Sequence, residues 1–112
     1  MHSRPAPAPL AGAAPVFAAL GDETRLRLVS RLCDVGPMSI TRLTADSDVT
    51  RQGITKHLRV LEQAGLVHSS RRGRESVWEL DQRRLEDARH YLELISRQWD
   101  SALDRLRQFV EG

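Results

Sequence analysis

Hydrophobic residues recur every three or four positions along much of this chain, the spacing expected of helices that bury one side. Glycine, proline and capping residues interrupt this spacing and divide the chain before Leu66 into four helices. These predicted helices run from Pro15 to Gly21, from Asp22 to Gly36, from Ser39 to Leu43 and from Thr50 to Gly65. A turn at 46–48 joins the last two, and the final helix is polar and basic on its free side. This arrangement predicts a helix-turn-helix unit.

The period changes to two after Leu66, where alternating residues at 67–70 and 76–80 flank an arginine-rich stretch that contains Gly73. Two alternating runs around a glycine predict a β-hairpin. A basic hairpin directly after a helix-turn-helix is a wing. We therefore expect a mainly α-helical winged helix-turn-helix fold with a small β-hairpin, in the order α-α-α-α-β-β-α.

The segment from Gln82 to Val110 contains neither glycine nor proline and predicts one helix about 40 Å long. Its apolar residues recur at steps of three and four for about three and a half heptads, as in a coiled coil. The chain offers no second helix of this length to cover such a stripe, so self-association is the simplest way to bury it. The stripe consists of Leu85, Ala88, Leu92, Ile95, Trp99, Ala102, Leu106 and Phe109, and a second row of Tyr91, Leu103 and Val110 widens it.

The length of 112 residues fits one domain with one core, and 40% apolar against 29% charged residues is typical of a globular chain. We expect the Ala/Pro-rich residues 1–14 to form a disordered tail and residues 15–112 to form the domain. The longest uncharged stretch, Pro5 to Gly21, is too rich in proline to span a membrane and lacks the apolar core of a signal peptide. A single cysteine, Cys33, excludes an internal disulfide. The sequence therefore predicts no membrane contact and a cytoplasmic location.

Positive charge is concentrated between Thr50 and Arg74, which hold six cationic residues and a single acidic one, Glu62. The whole chain carries a formal net charge of only +2, so the remainder is slightly acidic. Nearly all of the cations are arginine, which forms planar bidentate contacts with phosphates and base edges. A basic surface on an otherwise mildly acidic chain predicts a polyanionic partner, which for a helix-turn-helix is double-stranded DNA.

The helix at 50–65 carries the residue types that read bases in the major groove. Gln52 can pair with adenine, Lys56 can donate to guanine, and the methyl group of Thr55 can touch a thymine methyl. Gly53 removes bulk where the backbone must approach the DNA. The alternative interpretation is an ordinary amphipathic helix with a solvated charged side. We favour DNA binding because the basic wing follows this helix directly.

The residues around these positions can contact the DNA backbone, whatever its sequence. For the wing arginines, the alternative is protection of a strand edge. For His57, the alternative is packing beneath the wing. Trp78 alternates with Leu80 and is expected in the core. The predicted backbone contacts are Thr50, Arg51, His57, Arg59, Arg71, Arg72 and Arg74.

Three segments together resemble the ArsR/SmtB family of bacterial winged-helix repressors: LGDETRLRL at 20–28, VTRQGITKHLRVLEQAGLV at 49–67 and the wing glycine between two arginines at 72–74. The resemblance covers nearly the whole chain after residue 15. It implies a winged helix that dimerises through its first and last helices and places two recognition helices on an operator. The implied dimer interface comprises Val16, Phe17, Leu20, Leu85, Ala88, Leu92, Ile95, Trp99, Leu103, Leu106 and Phe109.

The ArsR/SmtB family includes metal sensors, and this chain resembles a branch that lacks their metal sites. The thiolate motif is missing, because residues 38–43 contain no cysteine. In the zinc motif of the last helix, His90 follows Asp87 one position too late, and Ser101 stands where the next histidine is required. We therefore expect no metal and no cofactor. Cys33 has the spacing of a buried hydrophobic residue rather than an accessible redox sensor.

These features predict a sequence-specific DNA-binding transcriptional regulator, with repression as the expected mode, that binds a pseudo-palindromic operator as a homodimer. Its half-sites should lie roughly 34 Å apart, one helical turn of DNA. Two alternatives use the chain differently: a ligand-, metal- or redox-responsive sensor of the same fold, or a protein-interaction module that works through the last helix without DNA. The sequence contains no catalytic triad, phosphate-binding loop or paired carboxylates that would indicate an enzyme.

Overall fold

The computed structural model of the chain describes residues 12–45 and 47–112, which form a mainly helical winged helix-turn-helix. The fold class predicted from the sequence is therefore confirmed, with one strand more than expected. In chain order, the elements are α1 (Ala13–Leu20), α2 (Glu23–Val35), β1 (Met38–Ser39), α3 (Ile40–Ala45), α4 (Arg51–Gln63), β2 (Val67–Arg72), β3 (Glu75–Leu80) and α5 (Gln82–Glu111).

Helix α1 begins at Ala13, two residues before the predicted start at Pro15. Ala13 is buried, so the helix extends into the segment predicted as tail. A proline in the first turn of a helix is tolerated because the N–H groups there have no intrahelical partner, and alanine is the best helix former. Residues 1–11 of the predicted tail lie outside the described residues, as does Asp46 of the predicted turn.

Local side-chain chemistry sets the ends of α2 and α4. Asp22 accepts the N–H of Arg25 at 3.0 Å and caps α2, as predicted. Thr50 accepts the N–H of Gly53 at 3.1 Å and caps α4. Gly65 follows α4 with a φ of +80°, a left-handed conformation that suits glycine and lets the chain turn towards β2. Residues next to the helix in sequence therefore determine where α4 starts and stops.

The described strands form an antiparallel sheet in the order β1-β3-β2. Arg72 pairs with Glu75, which leaves Gly73 and Arg74 as a two-residue turn. The φ of +65° at Gly73 fits a type II′ hairpin, which needs glycine at this position. Strand β1 pairs with β3 through residues 38–39. The sequence pattern does not predict β1, because two residues show no period and their partners lie far along the chain.

The core lies between α1, α2, α3, α4 and the sheet, and the start of α5 packs against it. Trp78 is only 2% exposed, as predicted. Cys33 is exposed, which corrects the prediction that it is buried. Helix α2 buries Leu28 and Leu32, and Cys33 lies about 140° around the helix from Leu28. The thiol therefore lies on the side of α2 away from the core.

Candidate nucleic-acid interface

Helix α4 presents one side to the core and the other to solvent. Ile54, Leu58 and Leu61 anchor the inner side and are at most 1% exposed. Gln52 and Lys56 lie about 160° from Ile54 around the helix and are exposed. We call their side the outer face of α4, and one shallow depression on it is lined by Arg51, Gln52, Thr55 and Lys56. The structure thus brings together four of the residues predicted to contact DNA.

Two of the predicted base-reading positions are constrained from within the protein. The hydroxyl of Thr55 donates to the carbonyl of Arg51 at 2.9 Å, which leaves its methyl group free to touch a thymine methyl. A Cβ atom at Gly53 would lie 2.6 Å from Cγ1 of Val49 and 3.3 Å from Oγ1 of Thr50. A larger residue here would therefore have to displace the side chain of Val49. The predicted close approach to DNA is an additional role that this geometry permits.

The side chain of Arg59 is 59% exposed, but its guanidinium also contacts the sheet. Its guanidinium carbon lies 5.4 Å from the ring centroid of Trp78 on β3, a cation–π distance, and its Nη1 donates to Oε1 of Glu62 at 3.0 Å. Arg59 therefore covers the buried Trp78 ring and joins α4 to the hairpin. A phosphate contact by Arg59, as predicted from the sequence, would have to share the guanidinium with these two partners.

His57 lies on the flank of α4 that meets α2, which contradicts packing beneath the wing. Its Nδ1 atom is 3.2 Å from Nη1 of Arg25 and 3.7 Å from Oδ2 of Asp22. About a quarter of its side chain, 26%, is exposed, so only that part remains for the predicted phosphate contact. The sequence pattern predicts no contact for Arg25. Its signals are its place three residues after the helix cap at Asp22 and its presence in the segment 20–28 that resembles the ArsR/SmtB family.

The carboxyl group of Asp22 has a pKa below its ordinary value. The main cause is the backbone N–H of Arg25, which donates to the carboxylate. Partial desolvation acts in the opposite direction, and the charges of Arg25 and His57 lower the pKa further. Asp22 is therefore an anion at neutral pH. Together with Arg25 and His57 it forms a cluster at the junction of α2 and α4, which we call the Asp22 cluster.

The tip of the wing presents three exposed arginines, Arg71, Arg72 and Arg74. Arg71 and Arg72 end β2 opposite Ser76 and Glu75, and Arg74 lies in the turn. Neighbouring residues of a strand point to opposite faces of the sheet, so Arg71 and Arg72 lie on different sides of the hairpin. Each face of the hairpin tip therefore carries one of these two arginines.

Helix α5 has one part that packs on the domain and another that does not. Ala88 is 7% exposed, and the ring of Tyr91 makes an edge-to-face contact with Phe17 of α1, with 6.4 Å between centroids. Every residue from 98 to 112 is exposed. The large apolar side chains that α5 exposes, by 54% to 85%, are Leu92, Trp99, Leu103, Leu106, Phe109 and Val110.

The residues predicted to form a dimer interface differ in the surface they offer. Val16 and Ala88 are only 0% and 7% exposed, so the core of their own protomer covers most of both side chains. Their small side chains lie where α1 and α5 meet that core. The half-buried residues of the set are Phe17, Leu20, Leu85 and Ile95, and the exposed ones are Leu92, Trp99, Leu103, Leu106 and Phe109.

The two residues that remain of the zinc motif have other surroundings: Asp87 pairs with Arg84 at 3.6 Å, and His90 is exposed. Within residues 12–45 and 47–112, no three His, Cys, Asp or Glu side chains lie close enough together to hold a metal ion. None of the helices in this described part is both long and apolar enough to cross a membrane.

Comparison with known proteins identifies the family. Residues 20–70 match the sequence model of a helix-turn-helix domain. An HTH-type transcriptional regulator of Mycobacterium tuberculosis is 36% identical over 94 residues, which cover 84% of this chain and 84% of that protein.

Solved structures agree with that sequence match. An ArsR-like transcriptional regulator from Rhodococcus sp. RHA1 is 36% identical with a TM-score of 0.72, over 92% of this chain and 96% of that one. A homodimeric winged helix-turn-helix DNA-binding domain from Mycobacterium bovis shares the fold, with 21% identity and a TM-score of 0.64 over 94% of this chain and 95% of that one. The chain belongs to the ArsR family of winged helix-turn-helix, DNA-binding transcriptional regulators.

Proposed function

We propose that this regulator represses transcription by binding a pseudo-palindromic operator as a homodimer, with the outer face of α4 in the major groove and the wing on the DNA backbone. The observation that carries the proposal is the outer face itself, where Gln52 and Lys56 are exposed beside Arg51 and Thr55 around one open depression. The major groove accepts one helix whose exposed donors and acceptors reach base edges. The hairpin packs against α4, so the wing arginines accompany that helix to the DNA.

The exposed half of α5 supports a second copy of the chain as its partner. The helix has 30 residues, about 45 Å, whereas the next longest described helices, α2 and α4, have 13 each. The radius of gyration is 18.2 Å, compared with about 13 Å for a compact domain of this size. An apolar helix of this length needs an equally long partner, and a second α5 provides one. The homodimeric state of the Mycobacterium bovis domain favours the same assignment.

Two-fold symmetry gives the dimer two recognition helices, which would occupy half-sites roughly 34 Å apart. Arg51 and the wing arginines would supply most of the salt-dependent affinity, and Arg59 less, because its guanidinium is already engaged. A dimer that covers about two turns of promoter DNA blocks polymerase, which makes repression the expected mode. This activity requires no catalytic group, and it belongs in the cytoplasm, where a bacterial chromosome lies.

Selection of bound duplexes from a random pool tests the proposal. We expect a pseudo-palindromic motif whose half-site centres lie about 10 base pairs apart. Lys56→Ala should then lose discrimination between that motif and random DNA, because a base contact worth roughly 1–3 kcal/mol is removed. Arg89→Ala removes an exposed cation of α5 and is the matched control, which should keep the preference. Equal preference in Lys56→Ala and the parent protein would exclude α4 as the reading helix.

The two alternative functions predict different results in the same assays. A protein-interaction module that works through α5 would still associate but would not shift duplex DNA at low ionic strength. A metal sensor would release the operator when zinc is added. We expect retardation of duplex DNA at low ionic strength and no response to zinc.

A further inference from the structure

Arg25 joins three helices through a single guanidinium group. Its Nε atom donates to the carbonyl of Ala19 at 2.5 Å, and its Nη2 donates to the carbonyl of Ala18 at 3.5 Å. Both carbonyls belong to α1. Its Nη1 atom lies 3.2 Å from Nδ1 of His57 on α4. The side chain therefore links the end of α1 and the flank of α4 to the start of α2, which carries it.

The contact with α1 is favourable because of where that helix ends. The last carbonyls of a helix lack intrahelical partners, and together they form the negative end of the helix dipole. The guanidinium satisfies the carbonyl of Ala19 and matches the charge of this end, and it shares the carbonyl of Ala18 with the N–H of Gly21, which donates at 3.2 Å. The backbone of Arg25 is itself held, because its N–H donates to Asp22 at 3.0 Å. Arg25 is thus fixed at both its backbone and its side-chain end.

The contact with α4 has a defined direction. A guanidinium carries only donors, so a hydrogen bond here uses the tautomer of His57 in which Nδ1 is an unprotonated acceptor. His57 follows Ile54 by three residues on the inner side of α4, and it is the immediate neighbour of Lys56 on the outer face. Any rotation of α4 that displaces His57 from Arg25 therefore also displaces Lys56.

The apolar part of the junction between α1 and α4 is smooth. Pro15, Ala18 and Ala19 of α1 line a shallow groove together with Val60, Gln63 and Ala64 of α4. Alanine side chains interlock poorly, so this surface alone resists sliding or rotation weakly. The polar contact through Arg25 restrains the relative orientation of α1 and α4, which the alanine surface restrains only weakly.

We infer that the contact between Arg25 and His57 is a positioning contact, which sets the orientation of α4 relative to α1 and thereby the half-site spacing that the dimer accepts. This inference rests on the proposed function, in which α4 reads the DNA, and on a dimer interface that includes α1, as the family resemblance implies. The orientation of each α4 relative to α1 then determines how far apart the two outer faces lie. Arg25 and His57 act on DNA recognition through that orientation.

A series of operators that differ only in half-site spacing tests the inference. The parent protein should bind the optimal spacing about tenfold more tightly than operators with one base pair added or removed, because each step rotates a half-site around the duplex. His57→Leu removes the acceptor, and we expect this ratio to fall to about threefold or less. His57→Gln keeps an acceptor oxygen and should restore a ratio close to that of the parent protein.

The ratio separates positioning from other effects of the same substitutions. Removal of a phosphate contact, or a less stable fold, weakens binding at every spacing and leaves the ratio unchanged. Val29→Ala is the matched control, because it removes buried volume from α2 at a residue that is 8% exposed and lies outside the Asp22 cluster. This variant should weaken binding uniformly.

The outcomes distinguish the inference from the proposal beneath it. A parent protein with no preferred spacing contradicts operator binding by a dimer. A parent protein with a preferred spacing, together with His57→Leu at the same ratio, overturns the positioning role alone. Should His57→Leu fail to fold, Arg25→Lys carries the same comparison, because one ammonium group cannot replace the guanidinium at Ala18, Ala19 and His57 together. An unchanged ratio in Arg25→Lys would then overturn the inference.

Discussion

At the scale of single residues, the carboxylate of Asp22 makes the stability of the fold depend on pH. The backbone N–H of Arg25 lowers the pKa of this carboxyl in the folded chain, whereas the unfolded chain has an ordinary pKa of about 3.9. A group whose folded pKa is lowered stabilises the fold above the unfolded pKa, and the contribution is lost as the pH falls through the folded pKa. The charge of Asp22 therefore supports the fold at neutral pH and ceases to do so in acid.

The variant Asp22→Asn isolates this charge, because asparagine also caps helices well. We expect the variant to have a lower free energy of unfolding than the parent protein at neutral pH. The difference should shrink as the pH falls below about 3.9 and disappear below the folded pKa of Asp22. Urea unfolding at a series of pH values, down to the lowest at which both proteins fold, measures it. A difference that does not change with pH would assign the effect to the cap geometry instead.

Helical spacing is sufficient to predict which residues of α4 face outwards, but it does not predict what the other residues touch. The helical period alone predicts that Gln52 and Lys56 face outwards. The contacts of His57 with α2 and of Arg59 with Trp78 join residues far apart in the chain, so they depend on tertiary packing. Gly53 illustrates the same limit, because the side chain of Val49 that crowds this position is brought there by the fold.

At the scale of elements, the helices are predictable because their ends are chemically marked. Asp22 and Thr50 cap the helices that follow them, and Gly65 ends α4. Strand β1 has no such mark, and it forms because β3 offers it an unpaired edge. The hairpin is only partly predictable. Its turn at Gly73 is recognisable from the sequence, but the lengths of its strands are set by pairing up to Arg72 and Glu75.

The wing and α4 should contribute to DNA binding in different ways. Arg72→Ala removes a cation from the hairpin and should weaken binding to all sequences alike, because phosphates carry no sequence information. The slope of log K against log salt concentration should become shallower by about 0.9 for each phosphate that the variant no longer neutralises, and by about twice that in a dimer. Titrations with operator and random DNA at several salt concentrations measure both effects. An unchanged slope would place Arg72 away from the phosphates.

At the scale of the whole molecule, the apolar stripe of α5 has two different surroundings along its length. Near Ala88 and Tyr91 it packs on the core and on α1, and from residue 98 onwards it leaves the domain. Periodicity predicts the stripe but not the residue at which α5 stops packing on the domain, because that residue depends on where the globular domain ends. The free part of the helix is the feature that the monomer leaves unexplained and a dimer accounts for.

Trp99 lies on this free part and is 68% exposed, so its replacement should affect assembly more than folding. Trp99→Glu places a carboxylate where a partner helix would pack. Burying an unpaired charge costs several kcal/mol, and about 1.4 kcal/mol corresponds to a tenfold change in Kd. We therefore expect the dimer Kd to rise by at least about a hundredfold, with a monomeric mass in sedimentation or solution scattering.

The operator affinity of Trp99→Glu separates assembly from DNA contact. A monomer keeps the outer face of α4 and the wing, so it should still bind a single half-site weakly. Its affinity for the full operator should fall to that of a single half-site. Ser101→Glu adds the same charge about 160° away around α5 and should leave both the mass and the operator affinity unchanged. A Trp99→Glu protein that remains a dimer would place the interface elsewhere on the molecule. A monomer that still binds the full operator as the parent does would show that α5 is not needed to join two recognition helices on DNA.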